Sequence, residues 1–328
     1  SATSWILSNL SRNRGGLYGR LTCEIKLSPF NLKECEDYFK NENIEMSRYD
    51  IVQSYMVFGG IPYYLSYFKK GMSFEGNADN ILFGKNPRLK DEFNRLFNAI
   101  FSNPEDCKKI IRLLAKKHVG FTREEIAKET GLPFGGGLTD TLNALVESDF
   151  IQRYRPYNVS GKVSFYKLID NFSLFWLKYV EPNTEDINFM TDNMTSNIMR
   201  VWRGVAFEEV CWQHIGQIKR ALGISGVSSS ISAWSVKGND NKEGVQIDLL
   251  IIRNDNVVNL CEMKFAGDIY SIDKEEDAKI RNRIQTLINT LSPKQSVHLT
   301  MITTYGVSHT MYGGRVQQQV ILDDLFQS

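Results

Sequence analysis

The sequence lacks the residue patterns that define several common kinds of functional site. It contains no G-x-x-x-x-G-K-[ST] stretch and therefore no P-loop for nucleotide phosphates. Its five cysteines form no C-x-x-C pair and are odd in number. This pattern argues against a zinc site and a disulfide framework, and it indicates reduced thiols.

No charge sign dominates, and no long apolar run is present. Lys and Arg number 39 and Asp and Glu number 38, so the formal net charge is only +1. Any nucleic-acid site must therefore be a local patch. Apolar runs such as residues 172–180 stop far short of a membrane span, and no charged-then-apolar leader opens the sequence. We expect a soluble, cytoplasmic protein.

The chain is long enough for more than one domain. Its 328 residues are 42% hydrophobic and 12% aromatic, which suffices for two or three domains with their own cores. Residues 1–7 lack an initial methionine and are typical of a strand end that runs into a helix. We therefore expect a fragment of a longer protein.

One stretch predicts a β-hairpin that carries charges. Residues 246–253 and 257–265 are rich in Val, Ile and Leu, which favours strands. Between them, residues 254–256 have the sequence Asn-Asp-Asn, which tolerates the positive φ of a hairpin turn.

The register of this hairpin predicts a charged face. Glu262 and Lys264 share a face because side chains alternate along a strand. A three-residue loop pairs Arg253 with Val257 and places Asp248 opposite Glu262. Two carboxylates about 4 Å apart repel by roughly 4 kcal/mol, so the pair needs a proton, the lysine or a bound cation. Oxygen ligands with few histidines suit Mg²⁺ or Mn²⁺ better than Zn²⁺. The alternative is a salt-bridged strand pair.

The residues before the hairpin predict two helical regions. Residues 48–101 predict helices that break at Gly59-Gly-Ile-Pro62, a sequence typical of a hinge. Residues 102–168 predict three helices followed by two strands, in which Thr122 and Glu125 form the capping box of the second helix and Gly131 ends it. This order is typical of a winged helix-turn-helix.

The third helix of such a module often reads DNA, but this one is a poor phosphate-binding face. Residues 132–152 contain no Lys or Arg and include Asp140, Glu147 and Asp149. Backbone contact with nucleic acid remains open through the wing, which offers Arg153, Arg155, Lys162 and Lys167. We favour a structural or protein-docking role over sequence-specific DNA reading.

The C-terminal part predicts the order α-β-β-β-α-β-β. Its segments are a helix at 200–222, a strand at 231–236, the hairpin, a helix at 275–291 and strands at 297–303 and 319–322. This order, together with Glu208, Ile247-Asp248 and Glu262-Met-Lys264, resembles the PD-(D/E)XK nuclease-like fold. Isoleucine stands where that motif has its proline.

The resemblance implies a restriction-endonuclease-like mixed sheet with a catalytic site. Asp248 and Glu262 would bind Mg²⁺ or Mn²⁺, Glu208 would assist through water, and Lys264 would orient or activate the attacking water. Such a metal stabilises charge on the phosphate and lowers the pKa of bound water during phosphodiester hydrolysis.

A wider set of short motifs covers nearly the whole chain and is similar to the prokaryotic archaeal-type AAA ATPases of the DExx-box kind. The motifs are Ser1-Ala-Thr-Ser-Trp5, Gly19-Arg20, Leu27-Ser-Pro-Phe30, Gly59-Gly-Ile-Pro-Tyr63, Leu168-Ile-Asp170, Phe175-Trp176, Thr303-Thr-Tyr-Gly306 and Leu322-Asp-Asp-Leu-Phe326. The resemblance implies a multidomain α+β and α/β protein. Its parts would be the end of the ATPase core at 1–47, a helical lid at 48–101, a winged helix at 102–182 and the nuclease-like domain at 183–328. Arg20 would lie near the nucleotide, and ATP would be a cofactor only of the intact parent with its P-loop.

Two functions stay open. One is a metal-dependent nuclease that acts on nucleic acid. The other is a non-catalytic regulatory, protein-interaction or DNA-binding region of the ATPase, favoured by the near-neutral net charge and the acidic third helix. The candidate partners are nucleic acid and, through the winged helix, a second copy of the chain or another protein. No membrane partner is expected.

Because the sequence carries no P-loop, we predict that this chain does not hydrolyse ATP. Phosphate release with ATP and Mg²⁺ should stay at the level of a blank without protein. ATP turnover that rises in proportion to the protein concentration would contradict this prediction.

Overall fold

The computed structural model describes residues 26–157, 163–183, 185–236 and 244–327. Arg20 and the tip of the predicted wing, residues 158–161, lie outside these ranges. Within them the chain is a mixed α+β protein with thirteen α-helices and two β-sheets. None of these helices is both long and apolar enough to cross a membrane.

The helices are α1 Leu32–Asn41, α2 Arg48–Phe58, α3 Pro62–Leu65, α4 Phe74–Leu82, α5 Glu92–Ile100, α6 Pro104–Leu114, α7 Arg123–Thr130, α8 Gly136–Glu147, α9 Asn171–Phe175, α10 Phe189–Asn193, α11 Asn197–Gln213, α12 Ile215–Ala221 and α13 Lys274–Ile288. The strands are β1 Phe121–Thr122, β2 Ile151–Tyr154, β3 Phe165–Leu168, β4 Ser229–Val236, β5 Val245–Arg253, β6 Val257–Lys264, β7 Ser296–Thr303 and β8 Gln318–Ile321.

The chain forms two compact units. The first unit contains the described residues of 1–30, 57–153 and 164–192, and the second contains those of 31–56, 154–163 and 193–328. The first unit is mainly helical and includes strands β1 and β3. The second unit includes the large sheet.

The order α6-β1-α7-α8-β2-β3 follows the pattern predicted for residues 102–168. The capping box that starts α7 is present: Glu125 N donates to Thr122 Oγ1 at 3.2 Å, and Thr122 N donates to Glu125 Oε2 at 2.7 Å. Gly131 ends α7 with φ 72°. The three short strands form a sheet in the order β1-β3-β2.

The glycine pair after α2 allows a close approach between backbone segments. Gly59 has φ 63°, a conformation that side chains disfavour. Phe30 N donates to Gly60 O at 2.7 Å, and a Cβ on Gly60 would lie only 1.8 Å from Phe30 O. The next helix, α3, is short and ends at Leu65.

The aromatic segment near residue 175 is only partly α-helical. Helix α9 ends at Phe175, and residues Trp176–Val180 continue it as a π-helical turn. Trp176 stacks on Phe93 with ring centroids 4.7 Å apart, and its Nε1 donates to Lys90 O at 2.7 Å. This side chain therefore holds the segment before α5 in place.

The second unit contains a five-stranded mixed sheet in the order β4-β5-β6-β7-β8. Strands β4, β5 and β6 are antiparallel neighbours, whereas β6, β7 and β8 run parallel. Helix α13 joins β6 to β7, and α11 packs against β5 and β6. The predicted element order is confirmed, but the single helix predicted at 200–222 is two helices that meet at His214.

His214 connects this break to the start of α1. Its Nε2 accepts a hydrogen bond from Leu32 N at 3.0 Å, so Nδ1 carries the proton that is donated to Val210 O at 2.8 Å. Leu32 N is one of the first-turn amides that a helix leaves without an internal partner. The ring is 1% exposed, and burial lowers the pKa of His214 to about 4.

We predict that the stabilising effect of His214 is lost in acid. The folded-state pKa lies below the ordinary value of 6.5, so the contribution is complete above pH 6.5 and disappears as the pH falls through about 4. His214→Ala should lower the free energy of unfolding at pH 8 by about 1–3 kcal/mol, because Leu32 N loses its acceptor. Urea unfolding at several pH values measures this difference, which should shrink toward pH 4.

The matched control is His309→Ala, since His309 is exposed. Its free energy of unfolding should follow that of the parent protein at every pH. A deficit in His214→Ala that is the same at pH 8 and pH 4 would show that the ring does not act through its neutral form.

Candidate functional site

The β5–β6 hairpin has the register that a three-residue loop predicts. Residues 254–256 form the turn, and Asn256 adopts φ 66°. Leu250 pairs with Leu260, and Leu249 pairs with Cys261. The paired residues end there, and one further step of the same register would set Asp248 opposite Glu262.

Two of the charged residues continue an otherwise apolar face of the sheet. Leu260 belongs to a buried cluster that also contains Ile280 and Leu287 of α13. Glu262 and Lys264 have the same alternation as Leu260 and therefore belong to the face that α13 covers.

Asp248 lies at a β-bulge. Ile247 and Leu250 both belong to the same buried cluster, and the register of β5 with β4 shifts between them. Alternation along β5 therefore does not place Asp248 on the face of Leu250.

Glu262 is the buried charge of this face. It is 8% exposed, and its Oε1 lies 3.1 Å from Arg283 Nη1. Burial raises its pKa; Arg283 and Lys264 oppose the shift, whereas Glu276 and Asp248 add to it. The resulting pKa is about 7, so near neutral pH this carboxyl exchanges its proton readily.

Lys264 forms an ion pair with a residue of α13. Its Nζ lies 2.7 Å from Glu276 Oε1. Burial lowers the pKa of Lys264, but the hydrogen bond with Glu276 and the neighbouring carboxylates outweigh burial, so the net pKa is raised. The ammonium therefore stays charged at neutral pH.

Asp248 is held by two groups of the second unit. Gln246 Nε2 donates to Asp248 Oδ1, and Trp212 Nε1 of α11 donates to Asp248 O at 2.9 Å. The side chain of Asp248 is half-buried. These bonds fix the strand end that carries the carboxylate.

Helix α11 carries two adjacent glutamates, and the predicted one is the more exposed. Glu208 is half-buried, whereas Glu209 is 1% exposed. Burial raises the pKa of Tyr154, and the charges of Glu209 and Asp248 raise it further. Tyr154 therefore lies near both carboxylates, which makes Glu209 a second α11 candidate beside Glu208.

The described ranges contain no group of three or more His, Cys, Asp or Glu side chains arranged to hold a metal ion. The predicted ligands Asp248 and Glu262 therefore belong to no such group. Mg²⁺ commonly binds one or two carboxylates and completes its shell with water and substrate phosphates. A metal held by these two residues alone would be a hard cation of this kind.

Sequence reasoning missed Glu276 and Arg283, both of which pair with the predicted site residues. Positions 276, 280, 283 and 287 follow helical spacing on one side of α13. Ile280 and Leu287 of that set are buried in the core. The two charged members could therefore have been found as charged residues on an otherwise apolar helix face.

Comparison with known proteins gives limited similarity. No family model matches the chain. It is 28% identical over 245 residues to an uncharacterized protein of Methanocaldococcus jannaschii, with 73% of this chain and 52% of that protein aligned. The chain thus spans about half the length of this relative. A solved Walker-type ATPase of Pyrococcus abyssi is similar with 19% identity and a TM-score of 0.37, covering 54% of this chain and 51% of that one.

We predict that Glu262 makes stability fall as the pH rises. Its folded-state pKa of about 7 exceeds the ordinary 4.5, so the protonated form stabilises the fold fully below pH 4.5 and that stabilisation is lost as the pH passes about 7. Glu262→Gln removes this titration. The free energy of unfolding of the variant relative to the parent should rise between pH 4.5 and 8 by on the order of 1–3 kcal/mol.

Urea unfolding in the presence of a chelator measures this difference without bound cations. Glu275→Gln is the matched control, since Glu275 is an exposed neighbour that pairs with Lys279. A difference between Glu262→Gln and the parent that does not change with pH would contradict the assignment.

Proposed function

We propose that the second unit is a PD-(D/E)XK nuclease-like domain that binds Mg²⁺ or Mn²⁺ through Asp248 and Glu262 and cleaves nucleic acid. The observation that carries this proposal is the buried Glu262 on β6, whose pKa the charge of Asp248 on the paired strand β5 helps to raise. Lys264 lies on the same face, two residues further along β6.

The topology of the sheet supports the proposal. Helix α11 precedes an antiparallel meander of β4, β5 and β6, and α13 then leads to β7, which is parallel to β6. This is the α-β-β-β-α-β order of the fold that the sequence resembles. Asp248 is on the second strand and Glu262 is on the third.

The electrostatics of Glu262 also favour a cation. A buried carboxyl with a pKa of about 7 is protonated half of the time near neutral pH, and a divalent cation can displace that proton. A bound metal would polarise the scissile phosphate and lower the pKa of a coordinated water. Lys264 would orient or activate that water, and Glu208 or Glu209 would assist from α11.

A second candidate is a non-catalytic charged face. The ion pairs Glu262–Arg283 and Lys264–Glu276 favour it, because they neutralise the face without a cation. In this case the unit would serve regulation, protein interaction or nucleic-acid binding. Metal binding distinguishes the two candidates.

We further propose that the chain is part of an archaeal-type AAA ATPase with a lid and a winged helix. The element order α6-β1-α7-α8-β2-β3 supports a winged helix. The Gly59-Gly60 backbone approach and the short helix α3 are compatible with a compact lid. ATP would then be a cofactor of the intact parent protein. The partners of the parent would be nucleic acid, another protein or a second copy of the chain.

We predict that Mn²⁺ binds the chain and that Asp248→Asn and Glu262→Gln each weaken this binding by more than about tenfold. Each variant removes one of two carboxylate ligands. A tenfold loss of affinity corresponds to about 1.4 kcal/mol. Isothermal titration calorimetry measures the affinity. Lys264→Ala should retain Mn²⁺ binding but lose cleavage of labelled single- and double-stranded nucleic acid.

Glu275→Gln serves as the control, because Glu275 is exposed on α13 and pairs with Lys279. It should bind Mn²⁺ and cleave as the parent does. Mn²⁺ affinity that is unchanged in both ligand variants would exclude the metal site and favour the non-catalytic face. Retained metal binding without cleavage of any substrate would exclude only the nuclease.

A further inference from the structure

The first unit contains a cleft lined by cations and tyrosines. Two cavities of about 740 and 560 Å³ adjoin there and share Tyr67, Lys85 and Arg88. Each volume lies in the range of ordinary ligand pockets. We call this feature the tyrosine–cation cleft and define it by Tyr63, Tyr67, Lys85, Arg88, Lys90 and Arg95.

The cations of the cleft outnumber the carboxylates near them, of which Glu92 interacts with Arg95. Lys85, Arg88, Lys90 and Arg95 are exposed, and within the described ranges none of them forms an ion pair. The smaller cavity has one lining carboxylate, Asp91, against these four cations. A chain of net charge +1 therefore concentrates positive charge at this place.

The acidic residue of the larger cavity, Asp79, accepts hydrogen bonds from the protein itself. Asp79 accepts hydrogen bonds from Met190 N at 2.7 Å, from Thr191 N at 3.0 Å and from Thr191 Oγ1 at 2.6 Å. This carboxylate thus holds the start of α10, and its oxygen atoms are engaged by that segment.

The tyrosines present an aromatic surface next to the cations. Tyr63 is 50% exposed and packs edge-on against Tyr67 with ring centroids 5.2 Å apart. The next residue, Tyr64, is buried against Phe172. Helix α3 thus directs one tyrosine inward and leaves the Tyr63 ring available to a flat ligand.

The cationic wall of the cleft is held in place from below. Leu89 and Phe93 are fully buried, and Trp176 Nε1 donates to Lys90 O at 2.7 Å. The segment that carries Arg88 and Lys90 is therefore anchored on both sides. A preorganised wall lowers the entropy lost when a ligand binds.

We propose that the tyrosine–cation cleft binds single-stranded nucleic acid, with phosphates on the cations and a base stacked on Tyr63. Cations that follow a backbone beside an exposed aromatic ring are the recurring arrangement for single strands. The cleft belongs to the first unit and does not depend on the proposed metal site or on the third helix, which lacks cations. Its two adjoining cavities suit a chain of nucleotides better than one nucleotide.

The test is fluorescence anisotropy of the full chain with a labelled oligothymidylate at several salt concentrations and with a chelator to prevent cleavage. The double variant Lys85→Glu/Arg88→Glu should weaken binding on the order of ten- to a hundredfold and lower the slope of log affinity against log salt by about 1.4, or about 0.7 for each lost phosphate contact. Tyr63→Ala should weaken binding about fivefold or more, and Tyr63→Phe should retain it.

The control Lys128→Glu/Lys294→Glu makes the same change in net charge at two exposed lysines outside the cleft. It should bind the oligonucleotide within about twofold of the parent. Thermal melting verifies that all variants are folded. Equal loss in the control, or unchanged affinity in the cleft double variant, would overturn the proposal.

Competitors identify the kind of anion. Unlabelled oligothymidylate should displace the probe far better than thymidine monophosphate or inorganic phosphate. Heparin is a polyanion without bases. It should displace the oligonucleotide from the parent and from Tyr63→Ala with the same inhibition constant. If Tyr63→Ala binds the oligonucleotide as the parent does, the cleft binds polyanions in general. If thymidine monophosphate competes as well as the oligonucleotide, the cleft binds a single nucleotide. Either result contradicts the proposal.

Discussion

The register between β5 and β6 is the constraint on which the site of the second unit depends. Asn256 has φ 66°, Arg253 pairs with Asp255 across the turn, and Asn254 N donates to Ser228 O at 2.9 Å. These local interactions fix a three-residue turn. A slip of one residue would send Glu262 to the opposite face of the sheet, because side chains alternate along a strand.

Within this hairpin, burial decides the chemistry of Glu262. Glu262 is almost fully covered, and Arg283 at 3.1 Å compensates only part of the cost of charging it. A divalent cation and Arg283 would therefore compete for the same oxygen atoms. This competition links the two candidate functions, since one face either keeps its ion pairs or exchanges them for a metal.

The sequence was sufficient for features that local chemistry determines. The Thr122 capping box and the β5–β6 turn follow from side chains near in sequence, and the apolar runs predicted the order of helices and strands along the second unit. The pairing of Arg283 with Glu262 depends on how α13 packs on the sheet, which periodicity indicates but does not specify. The hydrogen bond from Leu32 N to His214 at the helix break joins residues that are distant in the chain, so the local sequence does not indicate it.

We propose that Asp248 and Glu262 together hold one divalent cation. The most direct measurement is anomalous diffraction from crystals of the chain soaked in Mn²⁺. We predict one strong anomalous peak within coordination distance of both carboxylates, with Arg283 displaced from Glu262. Side chains on opposite faces of the sheet, or a Mn²⁺-soaked crystal in which the Glu262–Arg283 pair persists with no peak beside it, would contradict the account.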